Sequence, residues 1–353
     1  MHVILVLTYP IYHDHVPLNH WINRQNRTKW LPEIITRLGH SCELWVAADK
    51  NLTLGPSDHR FGDYLIRIFE TDRIASSTKK HVSNELTTFA RKQHADHYLL
   101  KGTDGGIGLD LMEQYLLPER RPFSFIIGGK YYTRHVPHAT HVLYETELQR
   151  KSLEAPGWRF WRRAVPPTKL FRLPKSVNTE TFRPLPDAQK RWDIVSVGRI
   201  LNRYKNYNAL SDLASDFRVA VAGTGPALEK MRKAIPSIEW VGYLPHDQIP
   251  SFMNAGRVFF HPSSNDYYPR VIAEAMACGV PPLAFADSIA EDVILPGTGE
   301  RLPRQGFDRV VASLVRNEAK VERMSSVARS VACNRLNKYS SFYTLRRILG
   351  VQS

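Results

Sequence analysis

A chain of 353 residues, 43% hydrophobic and 10% aromatic, is too long for one ordinary core and too apolar to be disordered or fibrous. Its formal net charge of +14 favours an anionic partner: phosphates, an acidic membrane surface or nucleic acid. Cys42, Cys278 and Cys333 are far apart and lack CxxC spacing, which argues against a disulfide framework or a zinc site and for a reducing compartment.

The opening "MHVILVL" is apolar for only about five residues, too short for a signal segment, and no run approaches the roughly 20 apolar residues of a membrane span. The expectation is a cytoplasmic protein, with a peripheral position on the inner face of the membrane as an option. "HVILVL" reads as a buried strand. The segment after it gains helical spacing at Trp30, Ile34, Ile35 and Leu38 and closes at Gly39, a C-cap position. "CELWVAA" and "YLIRIFE" are strands, Ser83 to His94 is helical, "HYLLKG" is a strand and "GIGLDLMEQYLL" a helix. "FSFIIGG" is a strand, and "THVLYETELQRKSL" is a short strand followed by a helix. Strands alternating with helices predict a mostly parallel sheet covered on both faces.

Gln149 to Lys190 breaks this rhythm with proline, tryptophan and arginine. Within Gln149 to Lys175 eight basic residues (150, 151, 159, 162, 163, 169, 172 and 175) face one acid, Glu154, and are interleaved with Trp158, Phe160, Trp161 and Phe171. That mixture suits an anionic membrane interface; nucleic acid and simple packing at a domain junction are the alternatives. Alternation then restarts. "WDIVSVGRI" is a strand, "NYNALSDLAS" a helix, "FRVAVAGTG" a strand and "PALEKMRKAI" a helix. "IEWVGYL", "HDQIPSFMNAG", "VFFHPS", "PRVIAEAMACG" and "PPLAFA" continue as strand, helix, strand, helix, strand, and Gly306 to Leu349 is mainly helical. The expected division is 1–173, a linker 174–190, 191–335, and a terminal helix in 336–353 that returns to the first domain.

In doubly wound sheets ligands sit beyond the carboxyl ends of the strands. Three stretches fall there. "VGRILNRYKNYNAL" places Gly198, Arg199 and Lys205 after a strand, two cations able to converge on one anion. "AVAGTGP" supplies Gly223 and Gly225 in a strand-to-helix turn without the third glycine of a dinucleotide fingerprint. "NDYYPRVIAEAMACG" carries Asp266 before a helix and Glu274 inside it. Pro269 suits a first helical turn, so the helix should start near Tyr268. Arg270 there opposes the usual preference for acids and hints at an anionic ligand. Glu274 then lies roughly 7–8 Å along the helix, placed for a ribose whose phosphates meet the helix start.

The second half resembles the retaining glycosyltransferases of the GT-B fold, family 4, also called glycosyl transferases group 1. The resemblance rests on "DYYPRVIAEAMACGVP", "LPKSVNTETFRP", "VSVGRILNRYKNYNAL", "VAGTGPALEKM", "IEWVGYLPHDQIPSFMNAGRVFFHPSS" and "SIAEDVILPGTGERLP", in that family's order and strongest over Phe171 to Leu302. It implies an α/β protein with two Rossmann-like, doubly wound parallel-sheet domains facing across a cleft. It also implies metal-independent transfer, with retention, of a sugar from a nucleotide diphosphate to a glycan or lipid-linked acceptor. No cofactor is implied, only a UDP- or GDP-linked sugar as co-substrate.

By resemblance, Arg199 and Lys205 would neutralise the leaving diphosphate, Asp266 would face the transferred sugar and Glu274 would hold the ribose. Amides around Tyr267, Tyr268, Pro269, Arg270 and Val271 would meet the phosphates. Tyr243 and Leu244 would border the base, and Gly198, Gly223 and Gly225 would let the backbone approach the donor. Tyr9, His13, Gly128, Gly129, Lys130 and His135 are acceptor-side candidates by position at strand ends, and no metal site is expected. The chain departs from the family pattern in several places. Its first acid is Asp, Pro269-Arg270 replaces a Gly-Leu-like pair, and "TYPIYHDHVPLNH" stands where a glycine-rich loop is usual. The family's usual His-Asp is also missing. Glycosylation of modified bases in DNA and a catalytically silent nucleotide-sugar or glycan-binding protein are the other readings.

Overall fold

The computed structural model describes residues 1–11, 21, 27–48, 58–72, 77–129, 132–155, 163–201 and 204–351. The chain divides into two compact units: Met1–Glu145, Gln149–Pro174 and Ser341–Ser353 form the first, Thr146–Leu148 and Lys175–Ser340 the second.

Unit 1 is built on β1 (His2–Leu7), β2 (Ser41–Ala48), β3 (Asp58–Phe61), β4 (Tyr64–Glu70), β5 (His97–Lys101), β6 (Phe123–Ile126), β7 (His141–Tyr144) and β8 (Leu170–Arg172). They pair in the order β3-β4-β2-β1-β5-β6-β7-β8, and only the β3–β4 pair is antiparallel. Its helices are α1 (Arg27–Arg37), α2 (Asn84–Lys92), α3 (Gly106–Leu111, widened to a π turn over Met112–Leu116) and, from Gln149 onward, α4 (Glu147–Glu154). The expected ends hold where the local chemistry is strong. Gly39 stands at φ 85° after α1, and the Ser83 hydroxyl accepts the Leu86 amide at the start of α2.

Unit 2 holds a six-stranded, wholly parallel sheet in the order β11-β10-β9-β12-β13-β14. Its strands are β9 (Trp192–Val197), β10 (Val219–Ala222), β11 (Glu239–Gly242), β12 (Gly256–His261), β13 (Pro282–Phe285) and β14 (Glu300–Leu302). The helices are α5 (Leu228–Ala234), α6 (Ile249–Asn254), α7 (Arg270–Ala277), α8 (Phe307–Arg316) and α9 (Glu318–Arg335); α10 (Phe342–Leu349) follows and belongs to unit 1. Strand periodicity sends alternate residues to opposite faces. Val219, Val221, Val258 and Phe260 join one buried cluster with α8, while Ala220, Ala222 and Phe259 join another with α7. The sheet is therefore buried on both faces, as a parallel sheet requires.

Three details differ from the sequence reading. "NYNALSDLAS" forms a short 3-10 turn over Tyr207–Leu210, followed by turns rather than a helix. It starts from Asn206 in the left-handed region (φ 45°), and the Ser211 and Ser215 hydroxyls donate to carbonyls three residues back, which keeps the turns tight. The helix expected from Tyr268 begins at Arg270, because Pro269 has extended ψ 128° and disfavours helical geometry at Tyr268. β3, β8 and β14 are short edge strands carrying charged residues, which hides them from an apolar-pattern reading.

The carboxyl end of α7 is closed by a Schellman motif. Gly279 has φ 68°, its amide donates to Met276 O, and Val280 N donates to Ala275 O. The Arg329 guanidinium, from α9, donates to Ala277 O at 2.6 Å, Phe182 O at 2.9 Å and Thr179 O at 3.1 Å. A cation on the negative end of α7 thus ties that helix to α9. Arg329→Leu should lower unfolding stability by about 2 kcal/mol, read from urea midpoints; an unchanged midpoint would contradict the assignment.

At the amino ends of β5, β6 and β7, His97 Nε2 lies 2.8 Å from Ser124 Oγ, which lies 3.2 Å from His141 Nδ1. One hydroxyl joins two imidazoles. Burial pushes His97 down to about 4, with His141 adding repulsion, and burial likewise lowers His141. The unfolded chain therefore binds protons more readily. Stability held above pH 6.5 is lost as pH falls towards 4, on the order of 3 kcal/mol for His97. His97→Gln should flatten that part of a stability-against-pH curve; an unaltered curve would contradict this.

Candidate functional site

The site is assembled in unit 2 at the carboxyl ends of β9 and β12. The turn after β10 makes room for the loop after β9. Gly223 and Gly225 have φ 147° and 159°, and a Cβ at either would overlap the carbonyl oxygens of Gly198 and Ile200. Gly198 N donates to Ala222 O and Ile200 N to Thr224 O, both at 3.0 Å, and Ala227 N returns to Ile200 O at 3.3 Å. These glycines admit the neighbouring loop, which their place in the sequence alone did not show.

The loop after β9 then crosses to the loop after β12. Tyr204 O accepts from Ser263 Oγ at 2.9 Å and from Ser264 N at 2.7 Å. This brings the Lys205 ammonium to 2.9 Å from Asp266 Oδ2, with the side chains 17% and 28% exposed. Asp266 N donates to Ser288 O at 2.9 Å, so the loop after β13 fixes the backbone that carries the acid. His261, the buried last residue of β12, places Nε2 3.4 Å from the same carboxylate oxygen without hydrogen-bond alignment.

Burial alone would raise the Asp266 carboxyl. The His261 contact and the Lys205 charge outweigh it and hold the group at about 2. Burial lowers His261 despite Asp266. At neutral pH the acid is ionised and the imidazole neutral, so Asp266 accepts hydrogen bonds and has no proton to give.

Arg199 is exposed two residues past β9 and makes no hydrogen bond or ion pair among the described residues. α7 begins with no side-chain cap and no acid in its first turn. The amides of Arg270 and Val271 meet no acceptor among the described residues, and Arg270 is exposed. One turn further in, the Glu274 side chain is 16% exposed, and His246 Nε2 stands 3.7 Å from its Oε1. Tyr243 is 73% exposed, Leu244 is half-buried against the core, Tyr267 is half-buried and Tyr268 and Pro269 are buried. Lysine, arginine and open amides thus gather around one strand-end region, beside one ionised carboxylate and one shielded carboxylate. That arrangement suits a polyanion joined to hydroxylated groups.

Sequence reasoning missed His261, His246, Ser288 and Tyr204. Only His261 left a trace, as the polar end of the apolar strand "VFFH". Among the described residues no group of three or more His, Cys, Asp or Glu side chains converges as metal ligands would.

In unit 1, Tyr9 follows β1 and its hydroxyl donates to Asp104; Lys79 Nζ lies 3.2 Å from the other carboxylate oxygen of Asp104. Gly129 O accepts from Gln149 Nε2 at 2.7 Å, and Gly128 is exposed. His135 Nε2 lies 2.9 Å from Glu113 Oε1, which Arg134 also meets at 3.0 Å. Tyr9 and His135 are therefore engaged with carboxylates. His13 and Lys130 lie outside the described residues.

Of the basic segment, Lys151, Arg163 and Arg172 are exposed. Arg150 pairs with Glu154 at 2.7 Å, and Lys169 Nζ donates to Pro137 O and Ala139 O. Phe171 is packed between His141 and Arg347. Arg159, Arg162, Trp158, Phe160 and Trp161 lie outside the described residues. No described helix is long and apolar enough to cross a membrane.

Residues 177–331 match the family model of the glycosyl transferases group 1. Unit 2 carries a glycosyl transferases group 1 domain. Within the curated proteins, the chain is 35% identical over 103 residues to the 2-deoxystreptamine N-acetyl-D-glucosaminyltransferase of Streptomyces fradiae, covering 28% of this chain and 24% of that protein. It is 28% identical over 136 residues to the phosphatidylinositol N-acetylglucosaminyltransferase gpi3 subunit of Schizosaccharomyces pombe, covering 34% and 29%. The alignments thus span about a quarter to a third of these relatives.

Solved structures match along nearly the whole chain. Sucrose-phosphate synthase of Thermosynechococcus elongatus superposes with a TM-score of 0.76 at 14% identity, covering 99% of this chain and 98% of that one. HepE of Anabaena, solved in complex with UDP-glucose, does so with a TM-score of 0.69 at 13% identity, covering 99% and 100%. The group 1 domain thus belongs to a chain with the GT-B fold of two parallel-sheet α/β units.

Proposed function

We propose that this group 1 chain is a retaining, metal-independent glycosyltransferase. It would move a sugar from a nucleotide diphosphate to a glycan or lipid-linked acceptor. The observation that carries the reading is the uncapped, acid-free start of α7, whose open amides adjoin the loop bearing Asp266, the ion-pair partner of Lys205. The UDP-glucose complex of the structural neighbour HepE supports a nucleotide-sugar donor. The N-acetylglucosaminyltransferases among the relatives support a glycosyl acceptor reaction, and the phosphatidylinositol enzyme supports a lipid-linked acceptor.

In this reading Arg199, Lys205 and the α7 amides receive the diphosphate. As the bond from the anomeric carbon to phosphate oxygen breaks, negative charge grows on that oxygen and an oxocarbenium-like centre forms on the sugar. Preorganised cations and amides stabilise the departing charge and are the main lever on rate. The acceptor hydroxyl attacks from the face the phosphate leaves, and that phosphate takes its proton, so configuration is kept and no protein nucleophile is needed. Ionised Asp266 accepts hydrogen bonds from hydroxyls of the transferred sugar. Glu274 accepts those of the ribose. The donor is UDP- or GDP-linked, and the basic surface of unit 1, including Lys151, Arg163 and Arg172, serves peripheral association with an anionic, cytoplasm-facing membrane.

A thermal-shift panel of UDP- and GDP-sugars tests this, repeated on Asp266→Ala and Glu274→Ala. At least one donor should raise the melting temperature of the wild type, and each substitution should reduce that rise. Identical shifts in all three proteins would overturn the site. A donor that binds but is never hydrolysed or transferred would leave a binding protein instead of an enzyme.

A further inference from the structure

We propose that His246 is a ligand-contacting residue which, with Glu274, reads a ribose hydroxyl of the bound nucleotide. The inference rests on the nucleotide-sugar reading above. Glu274 is largely shielded, and His246 is its one ion-pair contact among the described residues, at 3.7 Å. That separation is too long for a direct hydrogen bond, and the carboxylate keeps acceptor sites open. It is also a separation that one hydroxyl spans. An oxygen about 2.8 Å from each atom closes the triangle, donating to Glu274 Oε1 and accepting from Nε2–H of His246.

The histidine is held for this from its other side. Its ring stands edge-on to Phe182, with centroids 5.2 Å apart and planes at 66°, and Phe182 is 1% exposed. The imidazole itself remains 39% exposed, so one ring edge is anchored on the core and the other is open to a ligand. α7 supplies the acid and the loop after β11 supplies the base, so the pair bridges two elements that meet at the strand ends. A ribose with both hydroxyls fills the gap between them; a deoxyribose lacking the hydroxyl in question leaves both polar groups unmatched.

The test uses the full chain and calorimetric titration with UDP and GDP and with their 2′-deoxy and 3′-deoxy counterparts. The proteins are wild type, His246→Ala, His246→Gln and Glu274→Gln, with melting temperatures recorded for each. Wild type should bind the ribonucleotide roughly tenfold tighter than one deoxy form. His246→Ala should lose that preference, with unchanged affinity for the deoxy form and an unchanged melting temperature, while His246→Gln retains part of it. If His246→Ala keeps the wild-type preference and Glu274→Gln loses it, the histidine inference is wrong and the nucleotide reading stands. Equal weakening of ribo and deoxy forms in His246→Ala shows a structural role and also overturns it. Wild type that binds none of these nucleotides overturns both.

Discussion

Arg199→Ala should lower kcat/KM for nucleotide-sugar turnover on the order of 10²- to 10³-fold, while stability stays within about 0.5 kcal/mol of wild type. The split follows from the placement of the side chain. Arg199 is exposed and meets no acceptor among the described residues, so its removal takes nothing from the fold. On the proposed function, what would disappear is a fork of N–H donors for charge that grows only as the sugar leaves. Arg199→Lys should recover part of the rate, since a point charge remains but the fork does not. Steady-state kinetics with a saturating acceptor, paired with urea unfolding, measures both quantities. Loss of stability and rate together would mean that the arginine is structural.

Asp266→Asn should behave differently, reducing both turnover and stability. Asp266 is the counter-charge of Lys205 at 2.9 Å, and both groups are more than two-thirds shielded. Removing the carboxylate strands an ammonium in a poor solvent, at a cost of about 1–3 kcal/mol after allowing for partial exposure. The pH dependence fixes the origin of that loss. Because the folded-state Asp266 is held at about 2, below its unfolded value, its stabilising contribution is present above the unfolded value. That contribution is lost as pH falls through about 2. Asp266→Asn should therefore narrow its stability deficit as the solution is acidified through that window, as followed by calorimetric melting. A deficit constant from neutral pH down to about 2 would place the effect elsewhere. The acid should also be unable to act as a proton donor at neutral pH, so the turnover of Asp266→Asn should show no lost acidic limb above pH 5.

Much of this architecture is legible before any coordinates. The parallel sheet of unit 2 announces itself because its strands are buried on both faces and read as continuous apolar runs such as "VFF" and "PLAF". The charged edge strands β3, β8 and β14 stay hidden, since at an edge half of the backbone groups need no apolar screen. The helical reading of "NYNALSDLAS" fails because Asn206 takes the left-handed region and the Ser211 and Ser215 hydroxyls donate to carbonyls three residues back, a local contest that periodicity does not register.

For the site, Glu274 stands out as an acid inside an apolar helical pattern, Asp266 as an acid just before it, and Arg199 and Lys205 as cations past a strand. The pairing of Lys205 with Asp266 was not legible. It depends on Tyr204 O bonding Ser263 and Ser264, a backbone crossing some 60 residues away along the chain. His246 was invisible for the same reason: its partner Glu274 is close only after β11 and β12 take their places on opposite sides of β9 and β10. The glycines of "AGTG" suit close backbone approach to a ligand by sequence alone, and the fold adds a second reason for them, since a Cβ at either would meet the carbonyl of Gly198 or Ile200. In unit 1, Tyr9 lies just past β1 and His135 in the connection between β6 and β7, and carboxylates from Asp104 and Glu113 hold them.

The account depends on a nucleotide diphosphate lodging at the carboxyl ends of β9 and β12. The most direct measurement is a crystal structure of the chain soaked with the UDP- or GDP-sugar that gives the largest thermal shift. The predicted density places the two phosphates against Arg199, Lys205 and the Arg270 and Val271 amides, with the ribose at Glu274. Density for the diphosphate at any other place, or Arg199 and Lys205 directed away from it, would contradict the account.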